Sequence, residues 1–143
     1  MSLNARQQSL LDEIALHDDP QERLAAVVDR ARRRPALPAS DRTAAHRVPG
    51  CSSQVWLLPE LRDGRCHFRA DADSPLVRSL VLLLSDFFSN STPAEILATD
   101  LDPLEPLGLT RTLSSTRRHG LAAVRRAIRA FAQTQLSPFN SRP

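Results

Sequence analysis

Two thiols, Cys51 and Cys66, carry the reactive chemistry of this sequence, and their settings differ. Cys51 stands directly after Val48-Pro49-Gly50 and directly before Ser52, Ser53, Gln54 and an apolar run, Val55-Trp56-Leu57-Leu58, that reads as a strand. Pro49 presets one turn angle and Gly50 supplies a positive φ, the pattern of a type II turn. A thiol at such a tip serves neither packing nor strand pairing. It can be presented to a partner's active site or folded under cover when idle. Its reactive form is the thiolate, which nearby arginines or backbone N–H groups favour. Arg117 and Arg118 open the last helix, where the dipole disfavours positive charge. Two readings of them stand side by side: they support the thiolate, or Ser114, Ser115 or Thr116 caps the helix and the arginines face water.

Other uses of the cysteines fit less well. Asp63-Gly64 between two strand-like runs marks a two-residue hairpin. Its register pairs Arg62 with Arg65, Leu57 with Ala70 and Val55 with Ala72, and sets Cys66 opposite Leu61 at the turn end. Cys51 is then about 30 Å of extended chain from Leu61, whereas a disulfide needs Cα atoms within about 7 Å. Cys66 shares its parity with Phe68 and Ala70 and reads as a small core hydrophobe. A zinc site would have to combine Cys51 and His46 with ligands from elsewhere, without a paired-cysteine motif; the expectation is no metal. A Cys-His-Asp hydrolase would draw its base from His17, His46, His67 or His119, yet no nucleophile elbow or oxyanion hole is visible.

Composition narrows the field further. All 19 basic residues are arginine, against 16 acidic ones, for a net charge of +3. The isoelectric point near 10.0 therefore reflects the high arginine pKa rather than a large charge excess, and no nucleic-acid partner is expected. Without lysine there is no Schiff base to pyridoxal phosphate and no P-loop lysine; tyrosine is absent as well. The opening MSLNARQQSLLDEI is too polar for a signal peptide, and the longest apolar run, residues 80–84, is too short to span a bilayer. A protein of a reducing compartment, the cytoplasm, with no membrane association, is the expectation.

At 143 residues and 41% hydrophobic content, one domain with a substantial core is expected, spanning 1–143 with 137–143 as a frayed tail. Helices are predicted over residues 3–16, from Pro20 to the Arg32-Arg33-Arg34-Pro35 stop, over 75–88, briefly after the Thr92-Pro93-Ala94-Glu95 capping box, and over 115–133. Ser74-Pro75 reads as the cap and first-turn pair of the third, which is apolar nearly all round and so central. Residues 100–109 read as a Pro-interrupted loop. Residues 42–48 look extended and, with the hairpin, complete a three-stranded antiparallel sheet. Val55, Leu57, Phe68 and Ala70 fall on the face that rests on helices. The fold class expected is α+β.

"VPGCSSQVWL" closely resembles the Gly-Cys-Gln-Ser-Gln-Val-Trp signature of the SufE family, sulfur-accepting partners of cysteine desulfurases in iron–sulfur cluster assembly. Leu37-Pro38 upstream, "ADADSPLVRSLVLLL", "TPAEILATD" and "LTRTLSSTRRHGLAAVRRAIRA" extend the likeness along most of the chain, and Ser52 departs from the usual glutamine. The resemblance implies a SufE/IscU-like fold and a loop cysteine, here Cys51, that takes persulfide sulfur from a desulfurase, stimulates it and passes the sulfur on. It implies a supporting role for Arg117, an acidic flank at Asp73, and a binding loop of Gly50, Ser52, Ser53, Gln54 and Trp56. The partners implied are a SufS-like cysteine desulfurase and a SufBCD-like scaffold complex, with a homodimer suggested. No cofactor is implied for this chain, since pyridoxal phosphate belongs to the desulfurase. The protein would be a sulfurtransferase-like accessory rather than a stand-alone enzyme. Two rivals are a metal-binding or scaffold module of related fold and a basic adaptor for nucleic acid.

Overall fold

The computed structural model describes residues 2–14, 16–51, 53–111 and 113–136. The expected tail, 137–143, lies outside them. Among the described residues the elements run α1 (Leu3–Ile14), α2 (Pro20–Arg32), a 3₁₀ turn (Ala44–His46), β1 (Val55–Arg62), β2 (Arg65–Ala72), α3 (Pro75–Phe88), α4 (Pro93–Ala98) and α5 (Ser115–Leu136). The class is α+β, with five α-helices and an antiparallel sheet of two strands.

The hairpin forms in the register that its turn dictates. Asp63 and Gly64 both take positive φ, 53° and 77°, the requirement of a type I′ turn whose twist matches the strands. Val55 pairs with Ala72, Leu57 with Ala70, Leu61 with Cys66 and Arg62 with Arg65. Val55, Leu57, Phe68, Ala70 and Cys66 are all buried. Phe68 meets Phe131 of α5 edge to face, ring centroids 5.9 Å apart.

Among the described residues the expected third strand does not form. Residues 42–48 reach the sheet at one bridge, Arg47 to Trp56, with the Val48 N–H donating to the Val55 carbonyl at 2.8 Å. Ahead of it the chain tightens into the 3₁₀ turn. Farther along β1, Pro59 shares the outward parity of Val55 and has no N–H to give a neighbour, so pairing on that edge cannot propagate. The preceding segment instead lies on the second sheet face. The Leu37 N–H donates to Asp71, Arg69 pairs with Asp41 at 3.1 Å, and the Arg42 guanidinium stands 5.7 Å from the Trp56 ring centroid. Trp56 and Leu58 are buried on this face.

α3 is the axis of the core and packs on β2, α2, α5 and α1. Val77, Leu80, Val81, Leu83, Leu84 and Phe87 are buried around its circumference, each worth about 1.5–3 kcal/mol of transfer free energy. Ser74 and Pro75 occupy the cap and first position as expected, although the Ser74 hydroxyl makes no cap hydrogen bond. Thr92 and Glu95 form both halves of the capping box on α4. The Pro-interrupted stretch before α5 buries Leu104, Leu107, Leu109 and Leu113, so it belongs to the core although irregular. Arg125 fastens α5 to it, donating to the Leu101 carbonyl at 3.1 Å, and Arg129 fastens α5 to the end of α4, donating to the Ile96 and Thr99 carbonyls at 3.2 and 2.9 Å.

At the junction of sheet and helices sits an ion pair, Asp71–Arg78, 2.7 Å. Asp71 also accepts from the Leu37 and Ala72 N–H groups at 2.9 and 2.8 Å. Arg78 donates further to the Ala31, Arg34 and Pro35 carbonyls. One guanidinium thus closes the end of α2, the chain after it and the start of α3 over the end of β2. Burial pushes the Asp71 carboxyl up, and the two N–H groups with Arg78 more than reverse this, leaving it below the usual range.

Candidate functional site

Pro49-Gly50 folds into the expected turn, and Gly50 has a φ of +86°, a conformation that side chains rarely adopt. The turn is pressed onto α5: a Cβ on Gly50 would lie 3.7 Å from Ala123 Cβ. That contact tips Cys51 inward. Its thiol donates to the Gly120 carbonyl at 3.4 Å, and Cys51 is half-buried against the core. Cys51 and Cys66 are both free thiols.

Burial sets the electrostatics. Desolvation pushes the Cys51 thiol above its ordinary value, while the guanidinium groups of Arg126 and Arg47 pull the other way. Covered, the side chain is a protonated thiol; exposed, it would have two cations at hand for its thiolate. Cys66 is fully buried, and its thiol is pushed up by desolvation as well. Its backbone is tied to the chain beyond α3, with its N–H donating to Ser91 and its carbonyl accepting from Asn90, both at 2.7 Å.

The other residues singled out in the sequence surround this turn or lie apart from it. The Asp73 carboxylate accepts from the Gln54 N–H at 3.2 Å, and the Asp73 N–H returns a bond to the Gln54 carbonyl at 3.0 Å. This double link closes the cysteine loop where it enters β1. Trp56 is buried beneath Arg42, and Ser53 is half-buried. Ser52 lies outside the described residues. Arg117 is exposed, one helical turn before Gly120, and its N–H donates to the Ser114 hydroxyl at 3.2 Å. The cap at Ser114 is one of the two readings offered by the sequence, and the guanidinium charges that favour the thiolate include those of Arg126 and Arg47.

Sequence reasoning did not find Gly120, Arg47 or Arg126 as neighbours of the thiol, nor the Asp71–Arg78 pair. Gly120 left one signal, a glycine inside a long alanine-rich helix. Among the described residues there is no group of three or more His, Cys, Asp and Glu side chains able to hold a metal ion, and no helix long and apolar enough to cross a membrane.

The model of the SufE family, described as an Fe-S metabolism associated domain, matches residues 8–132. The chain belongs to the SufE family. An uncharacterized SufE-like protein of Rhizobium meliloti is 33% identical over 132 residues, covering 89% of this chain and 94% of the relative. A second uncharacterized SufE-like protein, from Synechocystis, is 31% identical over 111 residues, covering 78% and 70%. The solution structure of a hypothetical protein from Thermus thermophilus superposes with a TM-score of 0.72 over 92% of this chain and 96% of that one, at 17% identity. That likeness supports the α+β fold. Membership supports a role in Fe–S metabolism for this SufE chain.

Proposed function

We propose that this SufE-family protein is a sulfur carrier. Cys51 accepts persulfide sulfur from a SufS-like cysteine desulfurase, stimulates that enzyme by removing its product, and hands the sulfur to an iron–sulfur scaffold complex of the SufBCD kind. The observation that carries this reading is the setting of Cys51: a thiol on a two-residue Pro-Gly turn, covered by one helix and held by one weak hydrogen bond, with the charges of two arginines acting on it.

In the transfer, the Cys51 thiolate attacks the outer sulfur of the donor persulfide, the new Sγ–S bond forms as the donor's S–S bond breaks, and the electron pair leaves on the donor cysteine. The chain itself supplies position and charge, and shelter for the resting thiol. Arg126 and Arg47 stabilise the thiolate, and Asp73, through Gln54, fixes the loop where it meets β1. Arg117, exposed at the start of α5, supports the persulfide or the docked partner in this reading. No cofactor is needed here, pyridoxal phosphate remaining with the desulfurase, and the setting is cytoplasmic.

The test is sulfide release by a desulfurase with and without this protein. Cys51→Ser should abolish the stimulation and Cys66→Ser should retain it. Stimulation that survives Cys51→Ser would overturn the proposal. The rival metal-module reading would be favoured by stoichiometric metal on the purified protein.

A further inference from the structure

Five alanines lie in α5, yet position 120, on its buried side, is a glycine, which weakens a helix relative to alanine. Its φ is not in the left-handed region, so backbone strain does not demand it. A Cβ there would meet Cys51 Sγ at 3.6 Å and Cys51 Cβ at 3.9 Å, and, among the described residues, nothing else within 4 Å beyond its own helix backbone and chain neighbours. Among the described residues the bare face of Gly120 is therefore covered by Cys51, and the Gly120 carbonyl accepts the Cys51 S–H.

We propose that Gly120 is a positioning residue whose carbonyl, on a face with no bulky side chain, forms a seat for the Cys51 thiol that the persulfide cannot keep, so that loading with sulfur releases the turn. This rests on the reading of Cys51 as the sulfur carrier. During loading the Cys51 S–H bond is lost, its proton passing to solvent. The Sγ–S bond replaces it, and the donor's cysteine departs as thiolate. The one hydrogen that bound Gly120 is gone from Sγ.

The line from Sγ to the Gly120 oxygen has no room for the added atom. With an S–S bond of about 2.05 Å laid along the 3.4 Å line to the Gly120 oxygen, the outer sulfur would lie about 1.4 Å from that oxygen. Turned any other way, Sγ faces a carbonyl oxygen with no proton between them. Either outcome removes the polar contact that holds the seat. A bare thiolate is unseated by the same logic, because it too has no proton to give and meets the oxygen as an anion. The empty carrier rests closed and the loaded carrier stands open for its acceptor.

The experiment loads the full-length protein chemically with sodium polysulfide, verifies by peptide mapping that the sulfur is on Cys51, and follows amide hydrogen exchange across residues 48–54. Exchange should become several-fold faster on sulfuration and return to its starting rate when dithiothreitol strips the sulfur. Gly120→Val, whose γ-carbons intrude on the seat, should exchange fast already as the thiol and should alkylate several-fold faster with iodoacetamide. Gly120→Ala makes only ordinary contact at 3.6 Å and should keep both the slow thiol form and the sulfuration response. Equal exchange of thiol and persulfide in the unmutated protein would overturn the proposal, and that comparison stands even where Gly120→Val fails to fold. Polysulfide needs no protein donor, so a desulfurase that delivered nothing to Cys51 would sink the carrier role while leaving this result intact.

Discussion

The two cysteines are one side chain in two physical situations. Cys66 is inside the sheet, fully buried, with its backbone bonded to Ser91 and Asn90 and its thiol packed in the core around α3. Cys51 is on a turn, half-buried, with one S–H bond to a helix carbonyl and two arginines in range. Freeing Cys66 means opening the core; freeing Cys51 means lifting one turn from α5. The difference teaches that access, rather than intrinsic acidity, separates an inert thiol from a reactive one, since burial pushes both thiols upward.

The largest effect should appear in alkylation. With iodoacetamide at neutral pH, Cys51 should react through local opening, and Cys66 only at the rate of global unfolding, orders of magnitude slower. Comparable rates would erase the contrast. Both thiols bind their proton more tightly in the folded chain, so each adds stability that is fully present below the unfolded thiol range, near pH 8.5, and is lost as pH rises through the higher folded value. Denaturant midpoints should fall along that alkaline limb.

Next in size is the Asp71–Arg78 pin, at the end of β2 away from Cys66, which acts on Cys66 through the stability of the whole core. Arg78→Ala leaves the buried Asp71 carboxylate without its cation and should cost about 3–5 kcal/mol by urea unfolding, speeding Cys66 alkylation in proportion and Cys51 alkylation far less. Asp71 has its carboxyl held below the usual range. Its contribution is therefore complete above the unfolded carboxylate pKa, near 3.9, and is lost as pH falls through the lower folded value. Asp71→Asn should flatten that acidic limb.

How far the sequence disclosed this contrast can be judged residue by residue. The hairpin was legible because Asp63-Gly64 admits one tight turn, and alternation from Val55 and Phe68 then fixes every partner. Gly50 was legible for the same reason, since its φ is demanded locally. The third strand misled because residues 42–48 lack alternation, and whether they pair depends on Pro59 across the gap and on Asp41 and Arg42 finding Arg69 and Trp56 instead. Leu104 to Leu113 carry no periodicity, so their burial is invisible without the helices around them. The placement of Gly120, Arg47 and Arg126 about Cys51 depends on how α5 crosses the turn, a tertiary fact with no local code.

The smallest effect sharpens the Cys51 side alone. Arg126→Ala removes one of two exposed cations near the thiol, and exposed charges are worth about 0.2–1 kcal/mol. The pH profile of Cys51 alkylation should move upward and the neutral-pH rate should fall a few-fold, with stability unchanged. Arg47→Ala should act in the same direction, and an unchanged profile in both would remove the arginines from the site.

The central claim is that Cys51, and not Cys66, carries sulfur. Incubation with a cysteine desulfurase and free cysteine, followed by peptide mapping under non-reducing conditions, addresses it without mutation. The account predicts one or more added sulfur atoms on the peptide containing Cys51 and none on the peptide containing Cys66. Sulfur on Cys66, or on neither, would contradict it.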